Sequence, residues 1–97
     1  MTLVTRNFRC RQGEIDLILR DGDVIVFVEV RQRRSSRFGS PAETIHPGKQ
    51  RRLISAATHF LQSHRDCTDR PCRFDAVTLQ TENGRETIEW IRDAFQA

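Results

Sequence analysis

Long apolar runs are missing from this 97-residue chain. The longest is Val24–Val28, far short of the roughly eighteen residues needed for a membrane-spanning helix, so no membrane span is expected. The N-terminus also lacks a signal peptide, because Thr5, Arg6 and Asn7 interrupt it before any apolar core develops; the expected location is cytoplasmic. Cysteine is sparse and odd in number: Cys10, Cys67 and Cys72 read as reduced thiols. His64, Cys67 and Cys72 have the wrong spacing for a convincing zinc site, and incidental thiols near a loop are the better reading. Repeats and low-complexity tracts are absent. Lysine is almost absent too, since Lys49 is the only one among sixteen basic residues.

What remains is the composition of one soluble domain spanning residues 1–97, with 37% hydrophobic and 30% charged residues and a net charge of +3. The charge is uneven. Residues 31–52 carry Arg31, Arg33, Arg34, Arg37, Lys49, Arg51 and Arg52 against the single acid Glu43. Guanidinium groups fit phosphate oxygens as planar forks, so Arg33, Arg34, Arg37 and the Lys49-Gln50-Arg51-Arg52 run are the candidate contacts to a nucleic-acid backbone. A merely solvated basic face is the competing reading.

The pattern predicts an α/β domain with a mixed sheet of about five strands and one main helix. Leu3–Cys10, Glu14–Arg20 and Asp23–Arg31 read as strands, the last two joined by Asp21-Gly22 as a hairpin turn. Gln32–Thr44 reads as a polar loop. A helix runs from about Pro47 to His64, with Leu53, Ala57, Phe60 and Leu61 on one face and proline suited to its first turn. Cys72–Leu79 and Glu86–Ile91 are further strands around an Asn83-Gly84 turn, and Arg92–Ala97 reads as a frayed helical turn.

Pairing Arg20 with Asp23 sets Asp16 opposite Phe27 and Glu14 opposite Glu29. One face of the hairpin then holds Ile15, Leu17, Leu19, Val24, Val26, Val28 and Val30 with no polar residue among them. The other holds Ile18, Ile25 and Phe27 near the turn, then Asp16, Glu14, Glu29 and Arg31 at the far end. Opposed like charges destabilise a sheet by roughly 0.2–1 kcal/mol. Neutralisation by a divalent cation, Mg²⁺ or Mn²⁺, held by hard carboxylate oxygens is one solution. Carboxylates fraying into solvent and pairing with Arg31, Arg33 or Arg9 is the other.

The segments Asn7–Ile18 and Val26–Arg31, then Pro47–Leu53, Arg73-Phe74-Asp75 and Trp90–Phe95, together resemble the YraN-like family of uncharacterised bacterial proteins. That family is similar to the archaeal Holliday junction resolvases and belongs with the PD-(D/E)XK nucleases. The resemblance implies a restriction-endonuclease-like core, DNA (branched DNA included) as partner, and a homodimer where a junction is resolved. It also implies a metal site made from Asp16, Glu29 and the backbone carbonyl of Val30, with a lysine two residues after the glutamate.

Two departures from that pattern matter. Arg31 stands at the lysine position, and arginine stabilises phosphate charge without serving as a base. The family's leading helix, with its glutamate, does not precede the first strand here, so the start is either truncated or naturally short; Glu14 is the expected partial substitute. Lys49 is read first as a surface lysine or phosphate contact, and second as a replacement for the strand lysine. His46, His59 and His64 read as solvated or helix-end residues, and Trp90 and Phe95 as core aromatics rather than base-stacking platforms. Asp75 reads equally as a neighbour of the site or as half of a structural salt bridge. The function expected is a metal-dependent endonuclease acting on DNA, with a non-catalytic nucleic-acid-binding module and a protein-interaction domain as alternatives.

Overall fold

The computed structural model describes residues 1–33 and 45–96 of the chain. Arg34 and Arg37 lie outside the described residues, as does the side chain of Arg33. Five strands, β1 (Thr2–Cys10), β2 (Gly13–Asp21), β3 (Val24–Arg33), β4 (Cys72–Glu82) and β5 (Arg85–Phe95), form one sheet in the order β1-β2-β3-β4-β5. Helix α1 (Pro47–Ser63) lies in the crossover between β3 and β4, the one parallel pair; the other neighbours are antiparallel. The mixed α/β architecture expected from the sequence is therefore present. A parallel pair requires such a long connection, and a helix there can bury one face of the sheet.

Helix α1 starts where the sequence places it. Pro47 occupies the first turn, and Nδ1 of the cap residue His46 accepts the Gly48 N–H at 3.0 Å. Its apolar side, Leu53, Ala56, Ala57 and Phe60, packs with Ile15, Ile18, Ile25, Phe27 and Phe74. Phe60 is fully buried and meets Phe8 and Phe27 edge-on at 5.3 and 6.1 Å, while His64 stacks on it at 3.9 Å. Phe60→Ala is expected to cost about 3–5 kcal/mol, read as a lower denaturant midpoint at unchanged slope. The opposite face carries a second cluster of Leu19, Val26, Val28 and Val77, with Leu17, Val24, Val30 and Leu79 around it.

Three sequence expectations need correction. The hairpin turn is Gly22-Asp23, closed by Asp21↔Val24, because Gly22 takes the left-handed φ of 60° at the first turn position. Pairing therefore runs Leu17↔Val28, Ile18↔Phe27 and Arg20↔Ile25, two places from the predicted register. A shift of two leaves every face assignment within that ladder intact, but Glu14 is not opposite Glu29. Second, Ile15 belongs to the helix-side cluster, not to the valine face. The β2–β3 ladder ends at Leu17↔Val28, so the start of β2 is no longer held flat against β3. Third, Arg92–Phe95 is not a helical turn but the end of β5. A bulge carries the strand onward: Arg92, Asp93 and Ala94 lie opposite Asp75 alone, with Asp93 at a φ of 53°.

Candidate active site

The end of the β2–β3 ladder creates the site. Where a backbone carbonyl would continue the ladder, Oδ2 of Asp16 accepts the Val30 N–H at 2.8 Å. That bond fixes the Asp16 carboxylate beside β3 and satisfies a backbone donor that the diverging strand leaves behind. The gap becomes a pocket of about 240 Å³ lined by Gly13, Glu14, Asp16, Glu29, Lys49, Arg52 and Leu53. A larger hollow of about 460 Å³, among Val24, Pro71, Arg73, Phe74, Asp93 and Phe95, lies away from these carboxylates.

Glu14, Asp16 and Glu29 all line this pocket, though each has a different environment. Glu29 is 7% exposed and binds Lys49, whose Nζ lies 2.6 Å from Oε1. Glu14 is exposed and pairs with Arg9 at 3.2 Å, one of the neutralising arginines that the sequence suggests. The repulsion expected between Glu14 and Glu29 is relieved by separate cations and by a register that does not oppose them.

Lys49 is placed more specifically than the sequence suggests. Its side chain is 44% exposed, as for a surface lysine, yet its ammonium reaches the buried glutamate from the first turn of α1. Arg52, three residues further on and so on the same side of the helix, also lines the pocket. Gln50 faces elsewhere: its amide donates to the Ile45 carbonyl at 2.9 Å and anchors the chain entering the helix. Arg51 is exposed on α1. Arg31, two residues beyond Glu29 and half-buried, is not among the described residues lining the pocket, and neither is Val30.

Gly13 and Leu53 also line the pocket, though the sequence offers Leu53 only as part of the apolar helix face and gives Gly13 no role in the site. Gly13 has a φ of 155°, and a Cβ built there would touch Cβ and the carbonyl oxygen of Arg52 at 3.4 Å. A glycine after the polar Arg11-Gln12 turn was the available signal for this close approach between strand and helix.

Asp75 is not a neighbour of the site. It pairs with Val28 across β3–β4, which puts it on the valine face, while Glu29 shares the helix face with Ala76. There it is fully buried and accepts hydrogen bonds from Arg73, Trp90 and the Asp93 N–H, and Arg73 also reaches Asp21. The structural salt bridge is the alternative realised. Trp90 is not the core aromatic expected from the sequence: it is 42% exposed, on a solvent-facing stretch of β5, with its indole N–H donated to Asp75. Half-buried Phe95, by contrast, packs against the core and stacks on Phe74 at 4.7 Å. His46 and His64 sit at the two ends of α1, and His59 lies against Phe8 at 6.2 Å. The three cysteines are free thiols. Burial pushes the Cys67 thiol above its usual pKa, and Cys72 is raised by burial and by the nearby Cys67. Among the described residues no three histidine, cysteine, aspartate or glutamate side chains gather as a metal-binding group, neither around Cys67 nor among the pocket carboxylates. No helix among them is long and apolar enough to cross a membrane.

Comparison with known proteins connects these features to a family. A protein of Nitrosococcus oceani described as a UPF0102 protein is 50% identical over 96 residues, which cover 99% of this chain and 77% of that protein. A UPF0102 protein of Nitrosomonas europaea is 55% identical over 95 residues, 98% of this chain and 78% of the relative. One from Stutzerimonas stutzeri is 44% identical over 97 residues, 100% of this chain and 81% of the relative. The sequence profile described as "Uncharacterised protein family UPF0102" matches residues 1–79, from the start of β1 into β4 and across every residue lining the pocket. With the pocket and most of the sheet inside that match, the chain belongs to UPF0102, the YraN-like family that its motifs resemble.

Proposed function

We propose that this protein is a metal-dependent endonuclease of the restriction-endonuclease-like fold, acting on DNA, branched DNA included, through the pocket between β2, β3 and α1. The observation that carries the proposal is the convergence of Asp16 and Glu29 on one pocket with two cationic side chains, Lys49 and Arg52, on its helix wall. One buried and one half-buried carboxylate, Glu29 and Asp16, face this pocket where β2 and β3 end their pairing.

The donor set fits a hard divalent cation. Mg²⁺ is commonly held by one or two carboxylates while keeping several waters, and two carboxylates are what Asp16 and Glu29 offer. The Lys49 ammonium on Glu29 supports this reading, because a compact positive charge already pairs with that carboxylate. Asp16 and Glu29 would hold the ion; the Val30 carbonyl, the third donor that the resemblance implies, is not among the described residues lining the pocket. A bound Mg²⁺ or Mn²⁺ would supply Lewis-acid stabilisation of charge on the cleaved phosphate and a more acidic water. Val30 keeps Asp16 oriented, Lys49 and Arg52 bind phosphate at the rim, and Arg31 adds positive charge along β3. Contacts from Arg33, Arg34, Arg37 and Arg51 would extend the backbone track. Resolution of a junction would use a two-fold homodimer, which presents two such pockets to two strands.

The test is cleavage of a panel of linear, nicked, flapped and four-way DNAs with Mn²⁺, run beside Asp16→Ala. Cleavage by the wild-type protein that is abolished by Asp16→Ala supports the nuclease. A second reading rests on the Lys49–Glu29 pair, which neutralises the glutamate without any metal: a nucleic-acid-binding module that does not cut. It predicts salt-sensitive binding to the same DNAs with no cleavage by either protein.

A further inference from the structure

The ion pair at the pocket has a consequence for how a cation enters it. Glu29 is nearly inaccessible to solvent, and one of its two oxygens, Oε1, is held by Lys49 at 2.6 Å. Asp16 likewise has one oxygen, Oδ2, committed to the Val30 N–H. The Asp16 bond comes from the backbone and is fixed by the fold. The Glu29 bond comes from a flexible four-carbon side chain that remains 44% exposed, so it can leave without disturbing either strand. Fifteen of the sixteen basic residues are arginine, yet the one facing the buried glutamate is lysine. An ammonium is a compact point charge, the nearest side-chain equivalent of a small cation, whereas arginine would grip the carboxylate through a rigid fork.

We propose that Lys49 is the resident counter-ion of Glu29 and exchanges with the divalent cation. Loading the cation moves the ammonium off Oε1, and the released ammonium, tethered at the pocket rim beside Arg52, binds a phosphate oxygen of the nucleic acid. This inference rests on the reading of the pocket as a cation site and adds a regulation to it. Lys49 lowers cation affinity in the free protein, and a phosphate that takes Lys49 away from Glu29 strengthens cation binding. By linkage, the cation strengthens phosphate binding by the same factor.

The experiment is a Mn²⁺ titration of the free protein, followed by the electron paramagnetic resonance of unbound Mn²⁺. The proteins compared are the wild type, Lys49→Met, Lys49→Gln and Asp16→Ala. Removing the competing ammonium is expected to tighten Mn²⁺ binding about tenfold in Lys49→Met, the scale of one charge-assisted hydrogen bond at a half-exposed position. Lys49→Gln, which keeps a neutral donor for Glu29 and so preserves folding if the methionine variant does not, should show a smaller gain in the same direction. Equal or weaker binding by the folded Lys49 variants, with wild-type binding lost in Asp16→Ala, would overturn the exchange and leave the cation site standing. Absence of Mn²⁺ binding in all four proteins, or binding that survives Asp16→Ala, removes both the cation site and the exchange.

Discussion

Asp75→Ala is expected to destabilise the protein by about 3–5 kcal/mol, the range for removing one partner of a buried ion pair. Asp75 is inaccessible to solvent and gathers three donors: Arg73 Nε at 3.0 and 3.2 Å, Trp90 Nε1 at 2.8 Å, and the Asp93 N–H at 2.9 Å. The Asp93 bond closes the β5 bulge, where the ladder steps from Phe74↔Phe95 to Ala76↔Ile91. The Arg73 contact continues to Asp21 at 3.1 Å and so ties β4 to the end of β2. Arg73 is largely buried, and its hydrogen bond to Asp75 raises its guanidinium pKa further above the ordinary value. Alanine would leave Arg73 Nε, the indole N–H and a backbone N–H without their acceptor; Asp21 would remain as the one partner of the guanidinium, whose Nη2 already has none. The measurement is guanidinium unfolding, with Asp75→Asn as the milder companion. Asparagine keeps an acceptor and should cost about 1–3 kcal/mol as the charge is lost. Because Asp75 is on the valine face, folded Asp75→Asn should retain the Mn²⁺ affinity of the wild type. Loss of that affinity at unchanged folding would mean that the two faces of the sheet are not functionally separate.

How far the sequence foretells this arrangement depends on the distance over which each feature is encoded. The alternation from Leu17 to Leu19 and Val24 to Val28 determines which side chains share a face, because a strand has a period of two whatever its partner. The exact register needs the turn geometry, and Gly22 as the first turn residue moves it by two places while preserving parity. That is why Asp16 and Glu29 line one pocket although the pairs predicted through them do not form. Ile15 departs from its predicted face because strand periodicity holds only while a ladder holds the strand, and this ladder stops at Leu17. Helix α1 is announced locally by Pro47 and its apolar spacing; the landing of Lys49 on Glu29 joins residues twenty apart through the crossover and has no local signature. The same limit applies to Asp75, whose partners Trp90 and Asp93 follow it by fifteen and eighteen residues. The end of β5 is misread as helical because its continuation depends on that carboxylate.

Glu29→Gln separates the two functional readings by the sign of its effects. Glutamine has the volume of glutamate, and its amide oxygen can still accept from Lys49 Nζ, so the pocket and the fold should persist with a melting temperature close to that of the wild type. What disappears is the negative charge on a side chain that is 7% exposed and offers one of two hard anionic donors. For the nuclease, cleavage with Mn²⁺ is expected to fall on the order of 10²–10³-fold, comparable to deleting one preorganised electrostatic contact to a reacting group. Raising Mn²⁺ should restore part of that loss, because a weakened ligand set is refilled by mass action. DNA binding without metal should move the other way. Removing a carboxylate from a pocket whose rim carries Lys49 and Arg52 makes it more positive and loosens the hold of Glu29 on the ammonium, so affinity at low salt should rise. A module that only binds would show the second effect without the first. A cut in cleavage with no gain in metal-free binding would instead mean that Lys49 never meets the phosphate and serves Glu29 alone.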